Sequence, residues 1–320
     1  MEKIISFPLF GDLTLNPPSS FDVFGFTVHF YGVIIAVGLI LGVLYAKSQC
    51  PRFGMKFDDI IDFMLLAVPV CVIFARLYYV VFNFGLYRDD LVSALYIWEG
   101  GLAFYGALIG GVLSVWIFCR WKKLPLGPLL DLGCMGLLIG QAIGRWGNFI
   151  NREAFGTSAN IAEWPLRMGL TDPITGATTY VHPTFLYESL WYGLGILLLH
   201  IFIRKGKRKF DGQMCILYFI WNGLGRAVVE GLRTDSLYIL DTGIRVSQLL
   251  AAVLVVLGLI LLIINLRKCA KTPAVLWVNR AAMAEGPAPE AEGTAEQPAE
   301  ATPAEEKSET DSPSEDSDSE

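Results

Sequence analysis

Apolar residues dominate this chain in long unbroken runs, and the polar residues fall between the runs rather than alternating within them. A helix of about 20 residues spans the roughly 30 Å hydrocarbon core of a bilayer. Seven runs reach or approach that length: Val28–Ala46, Ile60–Phe82, Gly101–Cys119, Leu126–Gly144, Pro183–Ile203, Met214–Glu230 and Val246–Leu266. The pattern predicts an all-α, polytopic membrane protein with about seven transmembrane helices. In the fourth run Gly136, Gly140 and Gly144 recur every four residues, a small-residue stripe that lets a neighbouring helix come close. The third run carries a comparable cluster at Gly100, Gly101, Gly106, Gly110 and Gly111.

Charge between the runs sets their direction. Lys47, Arg52 and Lys56 follow the first run, and Arg120, Lys122 and Lys123 the third. Arg204, Lys205, Lys207, Arg208 and Lys209 follow the fifth, and Arg267, Lys268 and Lys271 the seventh. The intervening loops are mixed or acidic, as in Arg88-Asp89-Asp90 and the stretch from Asp235 to Asp241. By the positive-inside rule the basic loops are cytoplasmic, which places the N-terminus outside and the C-terminus in the cytoplasm. The long segment 151–182 then faces outward. The N-terminus lacks the basic start and small-residue cleavage site of a signal peptide, so the first span is expected to direct insertion.

The overall net charge of −6 averages two unlike parts. From Ala281 to Glu320 thirteen Asp and Glu residues face the single Lys307, so the remainder of the chain is basic. Residues 1–270 are expected to form the membrane domain. Residues 271–320 are expected to be a disordered, acidic cytoplasmic tail, because their composition cannot bury enough apolar area to offset the entropy of ordering. The six cysteines (Cys50, Cys71, Cys119, Cys134, Cys215, Cys269) show no CxxC pair and no metal-type spacing with histidine. Neither a disulfide, a metal nor a cofactor is expected.

The polar residues within or beside the runs gather at one end. Arg145, Asn148, Asn151 and Glu153 close the fourth run, in the stretch Gly144-Arg145-Trp146-Gly147-Asn148-Phe149-Ile150-Asn151-Arg152-Glu153-Ala154-Phe155-Gly156. His29 and Tyr31 begin the first run, and Glu99 and Tyr105 the third. His182, Tyr187 and Glu188 open the fifth, while Arg226, Glu230 and Arg233 close the sixth. All fall toward the outer face under the assigned topology. A guanidinium at membrane depth costs about 2.5–3.5 kcal/mol on insertion scales, so its presence marks a function or a partner. Its planar fork suits phosphate, which every phospholipid carries at this depth. Arg226, Glu230 and Arg233 are spaced to share one helix face as an ion ladder. Arg76, in the second run, is expected to pair with a carboxylate, with a place along the lipid path as the alternative.

With these residues in view, the chain resembles the bacterial phosphatidylglycerol–prolipoprotein diacylglyceryl transferases over roughly Val28 to Leu266. Gly144 to Gly156 match the family motif Gly-Arg-x-Gly-Asn-Phe-x-Asn-x-Glu-x-x-Gly throughout. Supporting matches are His29-Phe30-Tyr31-Gly32, Glu99-Gly100-Gly101-Leu102-Ala103-Phe104-Tyr105-Gly106, His182-Pro183-Thr184-Phe185-Leu186-Tyr187-Glu188, and Arg226 through Arg233. The resemblance implies a multi-pass enzyme of the bacterial cytoplasmic (inner) membrane. It would transfer the diacylglyceryl group of phosphatidylglycerol to the lipobox cysteine of a prolipoprotein, forming a thioether and releasing glycerol phosphate. The nucleophile is then the substrate's thiol, and the enzyme supplies fixed positive charge to the departing phosphate.

On this reading Arg145, Arg226 and Tyr105 are the catalytic candidates. Arg145, Asn148, Asn151, Glu153, Gly156, Tyr31, Glu230 and Arg233 are the candidates for holding substrate, with Glu153 gripping an arginine or a headgroup hydroxyl. Many family members have histidine where Tyr105 stands, and an imidazole is the better base near neutral pH. Tyr105 is therefore expected to position lipid by donating a hydrogen bond. The family often has tyrosine at the place of Asn222, to which no role is assigned. The expected partners are phosphatidylglycerol, the lipobox region of a prolipoprotein and the bilayer, with no nucleic acid. A lipid or solute transporter is the competing class, since intramembrane arginines and glycine-rich helices serve that role too. The absence of an internal repeat and the gathering of charge at one face speak against it.

Overall fold

A computed structural model of the chain describes residues 3–11, 13–88, 90–157, 161, 163–233 and 245–285; the side chains of Glu99 and of residues 281, 282, 284 and 285 fall outside that description. Asp89, the stretch from Asp235 to Asp241 and the acidic sequence beyond Glu285, all used above, lie outside the described residues.

Long helices stand where the apolar runs lie. They are α1 (Phe30–Phe53), α2 (Phe57–Phe82), α3 (Phe104–Lys122), α4 (Leu126–Asn151), α5 (Thr184–Arg204), α6 (Gln213–Glu230) and α7 (Val246–Lys271). Six are long and apolar enough to cross a membrane; α6, with 18 residues that include Arg226 and Glu230, is not among them. Two helices outrun their expected ends by seven residues: α1 runs past Ala46 to Phe53, and α4 past Gly144 to Asn151. Polar residues there do not end the helix, because an α-helix satisfies its own backbone whatever its side chains are.

Glycine sets the closest helix approach. Facing pairs of α1 and α4 run antiparallel: Gly42 on Gly136, Gly38 on Gly140, Ile35 on Gly144 and Tyr31 on Gly147. A Cβ at Gly42 would lie 3.2 Å from the Gly136 carbonyl oxygen, and one at Gly38 would lie 3.3 Å from the Gly140 Cα. The stripe read in the fourth run is thus a packing seam, and α1 is its partner. In α3, Gly106 and Gly110 lie against the α2 backbone at Phe74, Ala75 and Cys71.

The all-α expectation is corrected at the end of the bundle that carries the polar cluster. There β1 (Ile4–Phe7), β2 (Leu13–Leu15), β5 (Met168–Thr171) and β6 (Thr178–Val181) form an antiparallel sheet in the order β2-β1-β5-β6. A separate hairpin pairs β3 (Ser20–Val23) with β4 (Phe26–His29). Ile5, Met168, Leu170 and Val181 of the larger sheet pack on Phe149 of α4 and on Phe185 and Leu186 of α5. The sheet is therefore built onto the ends of the two helices that supply Arg145 and Glu188.

Arg152 fastens this cap. It ends α4 with φ +53, a left-handed conformation that disfavours side chains other than glycine and asparagine. Its guanidinium holds it there, donating from Nε to the Lys3 carbonyl at 2.6 Å and from Nη2 to Asn16 Oδ1 at 2.9 Å and the Pro17 carbonyl at 2.8 Å.

At the opposite end, Asp131 of α4 is fully buried and accepts from the backbone N–H groups of Gly212 and Cys215, each at 2.9 Å. Those donors at the start of α6 have no partner within the helix, so the carboxylate caps it. A short helix, α8 (Trp277–Glu285), docks nearby. The Trp277 N–H donates to Asp211 Oδ2 at 2.8 Å, and its indole Nε1 donates to the Gly54 carbonyl at 3.0 Å. This helix falls within the stretch expected as tail, and one compact unit extends through Ala284. The indole and one acidic partner anchor a segment whose composition alone reads as tail.

Candidate active site

Helical spacing lines up the end of α4. Arg145 Nη1 donates to Asn148 Oδ1 at 3.1 Å, one turn on. The Asn148 and Asn151 amides both donate to Glu153 Oε1, at 2.9 and 3.2 Å. Glu153 was expected to hold an arginine or a headgroup hydroxyl. Two amide forks a turn apart converge on one of its oxygens, because the left-handed residues Arg152 and Ala154 fold the chain back over the helix end. The Thr184 hydroxyl, donating to the Ala154 carbonyl, pins that turn to the start of α5.

The arginines meet at a residue that had been noted but given no role. Glu188, buried in α5, accepts from Arg145 Nε through Oε2 at 2.9 Å and from Arg226 Nη1 through Oε1 at 2.9 Å. Arg226 also reaches Glu230 Oε2 at 3.5 Å, the expected one-turn pair within α6. A buried carboxylate needs compensating charge and hydrogen bonds. Its presence one turn into an apolar run was the available signal. Pairing positions 145, 188 and 226 required the fold.

Two tryptophans hold α5 and α6 in this register. Trp191 and Trp221 stack with ring centroids 4.1 Å apart, and each indole N–H donates to the other's backbone carbonyl at 3.0 Å. The rings fit because Gly195 and Gly225 lie beneath them, where any Cβ would collide with the indole. Glu188 and Arg226 sit about one helical turn from this lock.

The other candidates frame the pair. Tyr31 of α1 lies across Gly147, where a Cβ would come 2.5 Å from its ring, so close contact requires glycine. Gly156 donates its N–H to the His182 carbonyl at 2.9 Å and forms an antiparallel bridge with Arg233, joining the end of the α4 motif to the end of α6. A Cβ at Gly156 would lie 2.7 Å from His182 Cβ. His182 Nδ1 is 3.3 Å from Tyr187 Oη, which accepts from Trp164 Nε1 at 2.7 Å. Burial lowers the pKa of His182 below its ordinary value, favouring the neutral ring.

Tyr105 stands apart. It is 44% exposed at the start of α3, with Tyr78 and Phe104 as ring neighbours at 6.3 and 6.0 Å. Among the described residues no hydrogen bond, ion pair or ring contact joins it to Arg145, Glu188 or Arg226. Asn222 lies below the arginines, accepting from Tyr192 Oη at 3.4 Å and donating to Tyr218 Oη at 3.3 Å. Arg76 is corrected: among the described residues its hydrogen bonds go to backbone carbonyls, not to a carboxylate. It donates to Ser93, Ala94, Gly100 and Gly101 at 2.6–3.2 Å and so shapes the chain entering α3.

Each guanidinium carries five N–H donors, and the contacts above leave several on both arginines. Two cations held by one carboxylate, with donors to spare, can seat an anion at the end of a membrane bundle.

Comparison with known proteins agrees with this chemistry. Residues 18–264 match the sequence model of the family described as prolipoprotein diacylglyceryl transferase. A protein from Halalkalibacterium halodurans named phosphatidylglycerol–prolipoprotein diacylglyceryl transferase is 42% identical over 239 residues, which cover 74% of this chain and 82% of that protein. Proteins of the same name from Streptococcus uberis and Streptococcus pneumoniae are 39% and 43% identical, over 78% and 75% of this chain and 96% and 91% of theirs. Matched over most of its length, with the polar cluster inside the matched region, the chain belongs to the prolipoprotein diacylglyceryl transferase family.

Proposed function

We propose that this chain transfers the diacylglyceryl group of phosphatidylglycerol to the lipobox cysteine of a prolipoprotein, the first step of bacterial lipoprotein maturation. The thiol sulfur attacks the glyceryl carbon that bears the phosphate, a C–S bond forms, and the bond from that carbon to its phosphate oxygen breaks. The electron pair leaves on the phosphate oxygen as glycerol phosphate, and the thiol proton passes to that phosphate or to water. An ordinary thiol, with a pKa near about 8.5, is a few per cent ionised at neutral pH, and nearby arginines raise that fraction.

The observation that carries the proposal is the Glu188-bridged pair of Arg145 and Arg226. Charge grows on the leaving phosphate as the bond breaks, and two fixed guanidiniums stabilise the transition state more than the ground state. In this reading Glu188 orients both forks, Asn148, Asn151 and Glu153 bind the headgroup, and Tyr31, Gly156, Glu230 and Arg233 shape the seat. Tyr105 approaches the lipid from α3 as a neutral donor.

The finer topology belongs to the same reading: seven spans in a bacterial inner membrane, N-terminus outside, C-terminus cytoplasmic. The β1–β5 pairing supports it, because it requires the N-terminal segment and the 151–182 segment to share one side. Four intervening helices that all cross would satisfy this. The basic loops supply the orientation. No structural observation favours the transporter alternative.

Purified protein in phosphatidylglycerol vesicles, incubated with a lipobox peptide, tests the proposal. The peptide should gain one diacylglyceryl mass, and its Cys→Ser counterpart should gain none. Modification of both peptides, or of neither by folded protein, would reject it.

A further inference from the structure

The β3–β4 hairpin is amphipathic; its apolar face meets α1 at Phe21, whose ring centroid lies 4.9 Å from that of Phe30, and is exposed toward the turn. Its register pairs Phe21 with Val28 and Val23 with Phe26 on one face. The alternate pairs, Asp22 with Thr27 and Ser20 with His29, lie on the other, because side chains alternate across a strand. The polar face is internally satisfied, with the Thr27 hydroxyl donating to Asp22 Oδ1 at 2.7 Å. The apolar face is open toward the turn: Phe26 is 77% exposed, and Phe24 at the turn is 99% exposed. Phe24 and Gly25 form the turn with φ +49 and +84, the left-handed pattern of a tight hairpin. Asparagine or glycine ordinarily takes the Phe24 place, since a bulky side chain is strained there. The chain thus accepts strain to hold an aromatic ring in the open.

We infer that this hairpin lies along the bilayer surface on the N-terminal side, with Phe24 and Phe26 in the boundary between headgroups and acyl chains and with Asp22 and Thr27 facing water. The occupant follows from continuity. β4 runs into α1 without a linker, and the Phe30 N–H donates to the Ser19 carbonyl at 2.9 Å, tying the base of the hairpin to the helix. α1 itself exposes Val33, Val37, Ile40 and Leu44, the surface of a helix in lipid. The apolar face of the hairpin extends that surface outward. A four-residue strand is about 13 Å long. An upright hairpin would lift Phe24 clear of the headgroups, whereas a flat one keeps it within the shallow depth of interfacial elements. Tyr31, which packs on Gly147, is two residues beyond the hairpin, so its seating bears directly on that end of α1.

The test places an indole at single positions of the full chain in vesicles containing phospholipid brominated near the top of the acyl chain. The emission added by Phe24→Trp and by Phe26→Trp, taken as the difference from the unmodified protein, should shift to shorter wavelength and lose about half its intensity, as expected of groups at interfacial depth. That added by Thr27→Trp should stay long-wavelength and unquenched. Quenching at all positions, or at none, would overturn the assignment. So would protection of positions 24 and 26 that appears only on adding a lipobox peptide, which would identify a polypeptide as the occupant. The measurement needs no transferase activity, so its outcome is independent of the proposed reaction.

Discussion

Arg145 Nε and Glu188 Oε2 lie 2.9 Å apart, an ion pair between α4 and α5 whose buried carboxylate also holds the partly exposed Arg226 on α6. One acidic residue thereby fixes two cations from different helices. Truncating one member of such a group leaves an uncompensated charge in a low-dielectric site, which typically costs about 3–5 kcal/mol.

Glu188→Gln preserves size and removes the charge. We expect transfer to fall at least tenfold, with a lower unfolding temperature, because both guanidiniums lose the carboxylate they share. Transfer rate and thermal unfolding of the purified variant check this. Normal values for both would show that the bridge is dispensable.

Arg145→Ala should abolish measurable transfer, and Arg145→Lys should restore little of it. Lysine keeps the charge but lacks the planar fork that serves Glu188, Asn148 and a phosphate together. The expected loss is about 10²–10³-fold, the scale seen when a preorganised transition-state donor is removed. Near-normal rates for Arg145→Lys at normal protein levels would mean that charge alone suffices.

Tyr105 is half exposed on α3 and, among the described residues, makes no contact with the arginine cluster, so its expected role is to position lipid. Tyr105→Phe should lower transfer by less than about tenfold, the loss of one neutral hydrogen bond. Tyr105→His should remain active. Complete loss in the phenylalanine variant with lipid binding intact would make the phenolic proton part of the chemistry.

Truncation separates α8 from the acidic sequence beyond it. A chain ending at Glu285 should match the full chain in insertion, stability and transfer. A chain ending at Lys271 loses the Trp277 bonds to Asp211 and Gly54 and should unfold at a lower temperature. Equal unfolding temperatures for the two would show that the docking contributes nothing measurable.

The helices were legible because a bilayer imposes a length and an apolar composition on whatever crosses it. The Gly136–Gly140 seam was legible for a related reason: small residues at four-residue steps have few uses besides close packing. The larger sheet was not, since β1 at residues 4–7 pairs with β5 at residues 168–171 and no strand exceeds four residues. Within the site, Arg145, Asn148 and Asn151 could be grouped because they share one helix face. Glu188 could not be matched to its arginines, because the contact joins three helices far apart in sequence. Arg76 misled for another reason. Its partners are carbonyls, which every residue carries and no sequence pattern marks. α8 was hidden by composition: its alanines and terminal glutamate read as tail, and only the Trp277 contacts reveal docking.

The central claim is that diacylglyceryl transfer releases the headgroup as its phosphate ester. It is tested most directly with phosphatidylglycerol labelled in its headgroup glycerol, purified protein and a lipobox peptide. The account predicts one labelled glycerol phosphate for each thioether formed, with both products absent in Arg145→Ala. Thioether formation without released glycerol phosphate, or label moving across the bilayer on intact lipid with no peptide modified, would contradict it.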